Sequence, residues 1–538
     1  MSDPANSGEY SKQTTSLWMH TADLPLYGPL REDLAVDVCV VGAGIAGLTT
    51  AYLLACEGKR VVVLERGNVG CGNTGRTTAH LSNVIDDRYA SLERVRGAEG
   101  SRLAYTSHTA AIEQIADIVR DERIECDLER LDGYLFLGRG HKESELDHEL
   151  EAAQRAGFRE AEKLARAPAP ALNAGPCLRF PGQAQLHPLK YLAGLCRAIH
   201  RQGGRIYTHT DVEDIQGGEP PVVRTRDGKT VRAGAVVVAT SSPITERFGV
   251  NMKQGPYMTY AIGLRVEVGA VPRALSWDTE DPYHYVRLQW VAGADGGDPH
   301  EVLIVGGEDH KTGQEDDGAR RFAALEQWAR ERFPDVGAVT DRWSGMVFES
   351  VDGLAFLGED PGAGPNVYVA TGDSGMGMTH GTIAGMLIRD LVLARPNPWV
   401  ELYDPTRVPV RAIREFLREG LNVGLQYAKW IGPGDVNSAA EIAPGSGAIV
   451  RHGLGKLAVF RDDGGQLHAC SAACPHLGGL VAWNPTESTW DCTCHGSRFD
   501  SFGKVLGGPA NRDLEPADPP QDGKDAAPAG KPAGEASP

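Results

Sequence analysis

Two cysteines and two histidines near the C-terminus constrain this chain more than any other feature. They fall in two short blocks, Cys474-Pro-His476 and Cys492-Thr-Cys494-His495, separated by 15 residues. Thiolate and imidazole donors at such spacing on two loops are the pattern of a metal centre. Zinc could take the four donors tetrahedrally; an iron–sulfur cluster could take them as two thiolates and two imidazoles. The surroundings suit a small all-β module. Short strand-like runs at 448–451, 456–460 and 468–471 alternate with turn residues Gly453, Gly455 and 462–465.

The flanks CPHLGG and WDCTCHGSRFD, followed by GGPA, resemble a Rieske [2Fe–2S] domain. The resemblance implies that Cys474 and Cys492 bind one iron, and that His476 and His495 bind the outer, more exposed one. Neutral imidazoles in place of thiolates raise the cluster potential. Two departures matter. Where high-potential relatives tie the two loops with a disulfide, Cys494 is kept but Gly479 stands at the other position, leaving Cys470 as the nearest alternative partner. Ser497 is kept, but Phe499 stands where those relatives have a Tyr that donates to a cluster sulfur. The loss of that donor predicts a potential in the lower half of the Rieske range, about −150 to +300 mV.

Near the other end, residues 36–41 (VDVCVV) read as a buried parallel strand. Gly42-Ala-Gly44-Ile-Ala-Gly47 follows, then a helical pattern ending at Gly58, then a second apolar strand, 61–64, closed by Glu65. Gly42 permits the turn, Gly44 lets the backbone approach a pyrophosphate, and Gly47 lets helix and strand pack closely. The helix N-terminus supplies free N–H groups for phosphate, and Glu65 stands where a carboxylate accepts from ribose hydroxyls. This is a dinucleotide site. Only one such fingerprint occurs, which points to FAD and to a small-molecule electron donor rather than NAD(P)H.

From about residue 17 to 395 the chain resembles the D-amino-acid oxidase/glycine oxidase family of FAD enzymes. Residues 71–78 (CGNTGRTT) resemble the family's loop along the FAD, 235–240 (AVVVAT) its return strand, and 367–382 (VYVATGDSGMGMTHGT) its flavin segment. The resemblance extends the cofactor set to Arg66, Thr74, Gly75, Arg76, Thr77, Val212, Thr240, Gly372, Gly375, Gly377, Met378 and Thr379. The helix end at Met378 and Thr379 would stabilise negative charge on a reduced flavin. The pattern TGRTTAH around Cys71 and His80 does not match the attachment motifs of relatives that bind FAD covalently.

The middle of the chain mixes helical patterns (101–123, 186–201) with strand-like runs (134–137, 261–268, 284–288, 302–305). This suits an α+β substrate domain inserted into a Rossmann-type α/β domain. The expected division is FAD domain 1–100, 185–250 and 345–400; substrate domain 101–184 and 251–344; helix and linker 401–440; all-β Rieske domain 441–512; disordered tail 513–538, rich in Pro, Ala, Gly and Asp. Three substrate-site candidates come from the insert. In Tyr283-His-Tyr285-Val-Arg287, Tyr283, Tyr285 and Arg287 share one strand face; Arg287 could hold a carboxylate. His310 follows a strand and could orient a substrate. Trp343 reads as packing.

The net charge of −18 argues against binding nucleic acid through its phosphates. The absence of a long apolar run argues against a membrane anchor, and scattered cysteines suit a reducing cytoplasm. Together the two halves predict an oxidoreductase. It oxidises a small amine or amino acid at FAD and passes electrons singly through the cluster to an unidentified acceptor. The alternatives are a relay between protein partners without an amine substrate, and a redox sensor.

Overall fold

The computed structural model describes residues 14–168, 175–245, 249–293, 298–408, 413–453 and 455–520. Leu34–Val41 lies inside an eight-stranded sheet, paired in parallel with Thr230–Ser241 on one side and Val61–Leu64 on the other. Val367–Thr371 and Arg205–Tyr207 extend the parallel array, and antiparallel Phe356–Glu359 forms an edge. Residues 38–41 and 61–64 are buried throughout: Val38, Val40, Val61 and Val63 pack with the helices, and Cys39, Val41, Val62 and Leu64 pack with Val212 and Val223 on the other face.

The helix Ile45–Cys56 begins at the glycine turn. Gly42 has φ +107°, and a Cβ there would lie 2.4 Å from the Ala239 carbonyl oxygen. On Gly47 a Cβ would lie 2.0 Å from the Gly42 oxygen, so no side chain fits between helix and turn. The helix Gly377–Val392 packs alongside through Gly381 and Gly385, where a Cβ would lie 3.2 Å from the Ala46 nitrogen and 3.1 Å from the Thr50 nitrogen. Two helix N-termini therefore start side by side at the C-terminal edge of the sheet.

A second, nine-stranded sheet runs in the order Val339–Ser350, Gln254–Val266, His300–Lys311, His284–Val291, Leu275–Asp278, Glu129–Phe136, Cys177–Gln185, His80–Leu81, with Glu162–Leu164 paired to Cys177–Gln185 as the ninth. The expected boundaries differ from this arrangement. The one at 100/101 falls inside the helix Tyr89–Glu122, and the one at 344/345 inside the strand Val339–Ser350. The first lies just past a break in that helix at Gly97 (φ +74°), and the second divides a continuous strand, which local composition does not reveal.

The C-terminal module is two four-stranded sheets, Ser446–His452, Gly455–Arg461, Leu467–Ser471, Pro516–Ala517 and Val481–Asn484, Thr489–Cys492, Arg498–Asp500, Val505–Gly507. It continues past the expected end at 512. Leu514 is buried, Ser471 N–H donates to the Glu515 oxygen, and Pro516–Ala517 pairs with Leu467–Ser471. The remainder of the expected tail, from 521, lies outside the described residues. The expected linker is also tied down: Asp435 exchanges hydrogen bonds with Ile449, and Val436 bridges to Val450. The helix expected over 404–429 is seen as Ile413–Ala428. No helix of the described residues is long and apolar enough to cross a membrane.

Candidate functional site

The two helix N-termini open onto a cavity of about 320 Å³. At one end its wall is Gly42, Gly44, Glu65, Arg66, Thr74, Val212 and Thr240; Arg76, Thr77, Gly375, Gly377 and Met378 line it further along. Its shape depends on glycine: a Cβ on Gly44 would stand 3.1 Å from the Thr74 hydroxyl, inside the passage. Glu65 accepts N–H bonds from Ala43 (2.7 Å) and Gly67 (2.9 Å), which fixes its carboxylate beside the turn. A long cavity with two helix N-termini and an anchored acid fits a dinucleotide.

Four expected cofactor residues lie outside the lining. Gly47 acts in packing, as its spacing implied. Gly75 and Gly372 also pack: a Cβ on Gly75 would lie 2.4 Å from the Gly70 oxygen, and one on Gly372 3.0 Å from Gln254 Oε1. The Thr379 hydroxyl turns into the interior, 2.8 Å from His108 Nδ1.

At the far end the cavity is lined by Trp277, Tyr283, Tyr285, Thr259, His80 and four carboxyl groups: Asp86, Asp309, Glu349 and Asp373. Tyr285 is where its strand face predicts, its hydroxyl 3.1 Å from that of Thr259. Arg287 is not in the cavity. It lies on the same face but two residues deeper, fully buried, where it donates to the carbonyls of Thr78, Ala79 and Leu186 and to Gln289. Loop 78–79 lies over that part of the strand, and its carbonyls take the guanidinium that was expected to meet substrate. His310 is also elsewhere. Its Nε2 lies 2.9 Å from the Tyr260 hydroxyl on the opposite face of the sheet edge, while Asp309, one residue earlier, faces the cavity. Trp343 is buried and donates to the Arg76 carbonyl, as packing requires.

Asp86 is exposed within the open cavity, and the protein packed around it, with Asp87 and Asp309, raises its pKa to about 7. Burial raises Asp309 and Asp373 to about 6. Glu349 is raised well above the usual carboxylate range, by burial and then by the Asp309, Asp87 and Asp86 charges. On the same wall burial lowers His380 to about 4; burial and Arg287 lower His80 to about 3.

In the C-terminal module Cys474 and Cys492 are buried, and the rings of His476 and His495 stand 5.1 Å apart between centroids at 88°. A Cβ on Gly479 would lie 2.8 Å from Cys494 Sγ and 3.0 Å from Cys492 Sγ. Position 479 thus faces Cys494, and glycine leaves room beside the thiols. Cys470 lies instead against Phe502 and Gly503, and all ten cysteines are free. The Ser497 hydroxyl accepts from Ala510 N–H, and Phe499 is fully buried. Two thiols, two imidazoles and a glycine-cleared space between the loops fit a [2Fe–2S] cluster.

The imidazoles were expected on the more exposed side of this site, and they are: His476 and His495 are 9 % and 5 % exposed against 2 % and 1 % for Cys474 and Cys492, although all four are buried. The helix Ile413–Ala428 caps one loop: Tyr427 donates to the Leu477 carbonyl (2.6 Å), and just beyond it Trp430 donates to Gly478 (3.1 Å). The other loop rests on the nine-stranded sheet, where a Cβ on Gly496 would lie 2.4 Å from Pro256 and 3.0 Å from Met346 Sδ. Met346 itself lines the cavity, as do 505–508 of the C-terminal module. The two sites therefore share one wall. No sequence spacing announces this, because it arises between modules.

Comparison with known proteins agrees with this arrangement. Residues 37–391 match the family model of FAD dependent oxidoreductases. The chain belongs to that family. In this FAD-dependent oxidoreductase, residues 433–517 additionally match the Rieske [2Fe–2S] domain, so its cofactors are FAD and a [2Fe–2S] cluster. It is 31 % identical to the Rieske 2Fe-2S iron-sulfur protein YhfW of Bacillus subtilis, over 96 % of this chain and 99 % of that one. It is 28 % identical to the gamma-glutamylputrescine oxidoreductase of Escherichia coli, over 71 % and 89 % of the two chains. The structure of glycine oxidase from Geobacillus kaustophilus shares the fold, with TM-score 0.58 and 22 % identity over 70 % of this oxidoreductase and 99 % of that chain.

Proposed function

We propose that this oxidoreductase removes electrons from a small amine at FAD and delivers them through the Rieske cluster to a separate one-electron acceptor in the cytoplasm. The observation that carries this reading is the shared wall. The loop holding His495 rests on Met346, and Met346 lines the same cavity as Trp277, Tyr283 and Tyr285. When bound, FAD accepts an electron pair from a C–H bond, and the cluster carries electrons one at a time.

The chain's own residues prepare both sites. We assign the N–H groups at the starts of Ile45–Cys56 and Gly377–Val392 to bind and orient the cofactor's anionic parts. We assign Glu65 to the ribose and Val212 to the adenine end. Cys474, Cys492, His476 and His495 are the cluster ligands in this reading. Tyr283, Tyr285 and Trp277 give the recess aromatic walls that exclude water from the reacting carbon. The Tyr285-lined recess favours an enzyme with its own substrate over a relay between protein partners.

Anaerobic addition of an amine to the holoenzyme tests this reading. Bleaching of the flavin absorbance with growth of a Rieske EPR signal supports it; bleaching with no cluster signal contradicts it.

A further inference from the structure

The recess carries carboxyl groups on four segments that are far apart in sequence. Asp86 follows the strand His80–Leu81, Asp309 is on His300–Lys311, Glu349 is on Val339–Ser350, and Asp373 precedes the helix Gly377–Val392. Three of them sense one another: burial first, and then the Asp309 and Asp86 charges, raise the Glu349 proton affinity. Asp309 Oδ1 and Asp373 Oδ1 are buried without a hydrogen-bond partner among the described residues. Both oxygens have no exposed surface, so it is the rest of each side chain that lines the recess.

The positive side of the ledger is short. Of the arginines and lysines among the described residues lining the cavity, there are two. Arg66 is paired with Asp211 and Arg76 with Glu487. Arg287, the residue whose sequence position suggested a carboxylate anchor, is committed to backbone carbonyls. A bound amino acid would therefore set its carboxylate among four carboxyl groups with no cation to receive it. An aliphatic amine carrying a second ammonium group would meet partners at both ends, and its methylene chain would lie along Trp277, Tyr283 and Tyr285, whose faces also attract ammonium groups.

From this placement we propose that the substrate is a di- or polyamine without a carboxylate. The inference rests on the amine-oxidoreductase reading above and narrows it from amines and amino acids to multiply charged amines.

The test uses the purified holoenzyme under anaerobic conditions with three probes of similar length: 1,4-diaminobutane, butylamine and 4-aminobutyrate. Binding is read by calorimetry and by perturbation of the flavin spectrum, and turnover separately by flavin bleaching. The expected result is that the diamine binds at least about tenfold more tightly than the monoamine, and that the amino acid binds least. Glu349→Gln and Asp309→Asn are each expected to lower the diamine-to-monoamine affinity ratio severalfold. The second variant guards against a folding failure in the first. Equal affinity for diamine and monoamine, or tighter binding of 4-aminobutyrate, overturns the inference even if all three bleach the flavin. Tight, Glu349-dependent diamine binding upholds the charge assignment; if no amine then bleaches the flavin, it is the amine-oxidation reading that fails.

Discussion

Arg76 and Glu487 form a fully buried ion pair between the cofactor cavity and the C-terminal module, with Nη1 and Oε2 3.8 Å apart. Thr14 and Ser344 also donate to the Glu487 carboxylate, and Arg76 donates to the Ser344 carbonyl at 2.9 Å. The loop along the cofactor site is thus joined directly to the domain that carries the cluster. Removing one partner leaves a buried charge uncompensated, at a cost of about 3–5 kcal/mol. Glu487→Leu should therefore lower the thermal midpoint by several degrees and loosen the two modules. A midpoint within one degree of wild type would contradict this role.

Gly47 has no room for a methyl group, because the Gly42 carbonyl oxygen occupies the place of its Cβ. Gly47→Ala should displace the helix start and strip FAD from the purified protein, seen as a fall in flavin absorbance per chain. Stoichiometric FAD in this variant would show that the turn tolerates the shift.

Arg287 is expected to act in folding. Its guanidinium holds loop 78–79 against the sheet by donating to three carbonyls. Each lost bond leaves a buried acceptor unsatisfied, at about 1–3 kcal/mol. Arg287→Met should lower stability in urea while the KM for an amine changes less than about threefold. A KM increase of two orders of magnitude at unchanged stability would return Arg287 to the substrate.

Strand, glycine turn, helix and acid were legible because the dinucleotide turn is a local geometry written in consecutive residues. The two proposed ligand blocks were legible for the same reason: each carries its donors within a few positions. The acidic recess was not, since Asp86, Asp309, Glu349 and Asp373 meet only after the chain has folded. Arg287 shows the limit of periodicity. Alternation assigns it to the face of Tyr283 and Tyr285, but says nothing of which loop covers that face two residues on. His310 shows the same limit by one residue, since its neighbour Asp309 takes the cavity side. The end of the C-terminal module was missed because Pro516–Ala517 is held by non-local pairing rather than by any hydrophobic run of its own.

The carboxyl groups of the recess set the pH dependence of amine binding. With Asp309 and Asp373 near about 6 and Asp86 near about 7, the empty recess gains negative charge as pH rises through that interval. His80 and His380 on the same wall are held neutral by burial, at about 3 and about 4, and do not titrate there. Diamine affinity should therefore rise from pH 5 to pH 8. A flat profile, or one that falls, would mean that these carboxyls do not face the ligand.

The cluster potential should fall in the lower half of the Rieske range, because Phe499 offers no hydrogen bond to sulfur. A hydrogen bond to a charged group contributes about 1.5–3 kcal/mol, and one electron corresponds to about 59 mV per tenfold change. Phe499→Tyr should accordingly raise the potential by roughly 60–130 mV in an EPR-monitored titration. A wild-type potential above about +200 mV, near the top of the range, would contradict the assignment.

The shared wall makes the central claim directly measurable. The holoenzyme, mixed anaerobically with 1,4-diaminobutane in a rapid-freeze apparatus, should show flavin bleaching followed by a Rieske EPR signal at a rate independent of protein concentration. A signal that appears only in proportion to protein concentration, or only when a mediator is added, would mean that electrons do not cross from the cavity to the cluster within one chain.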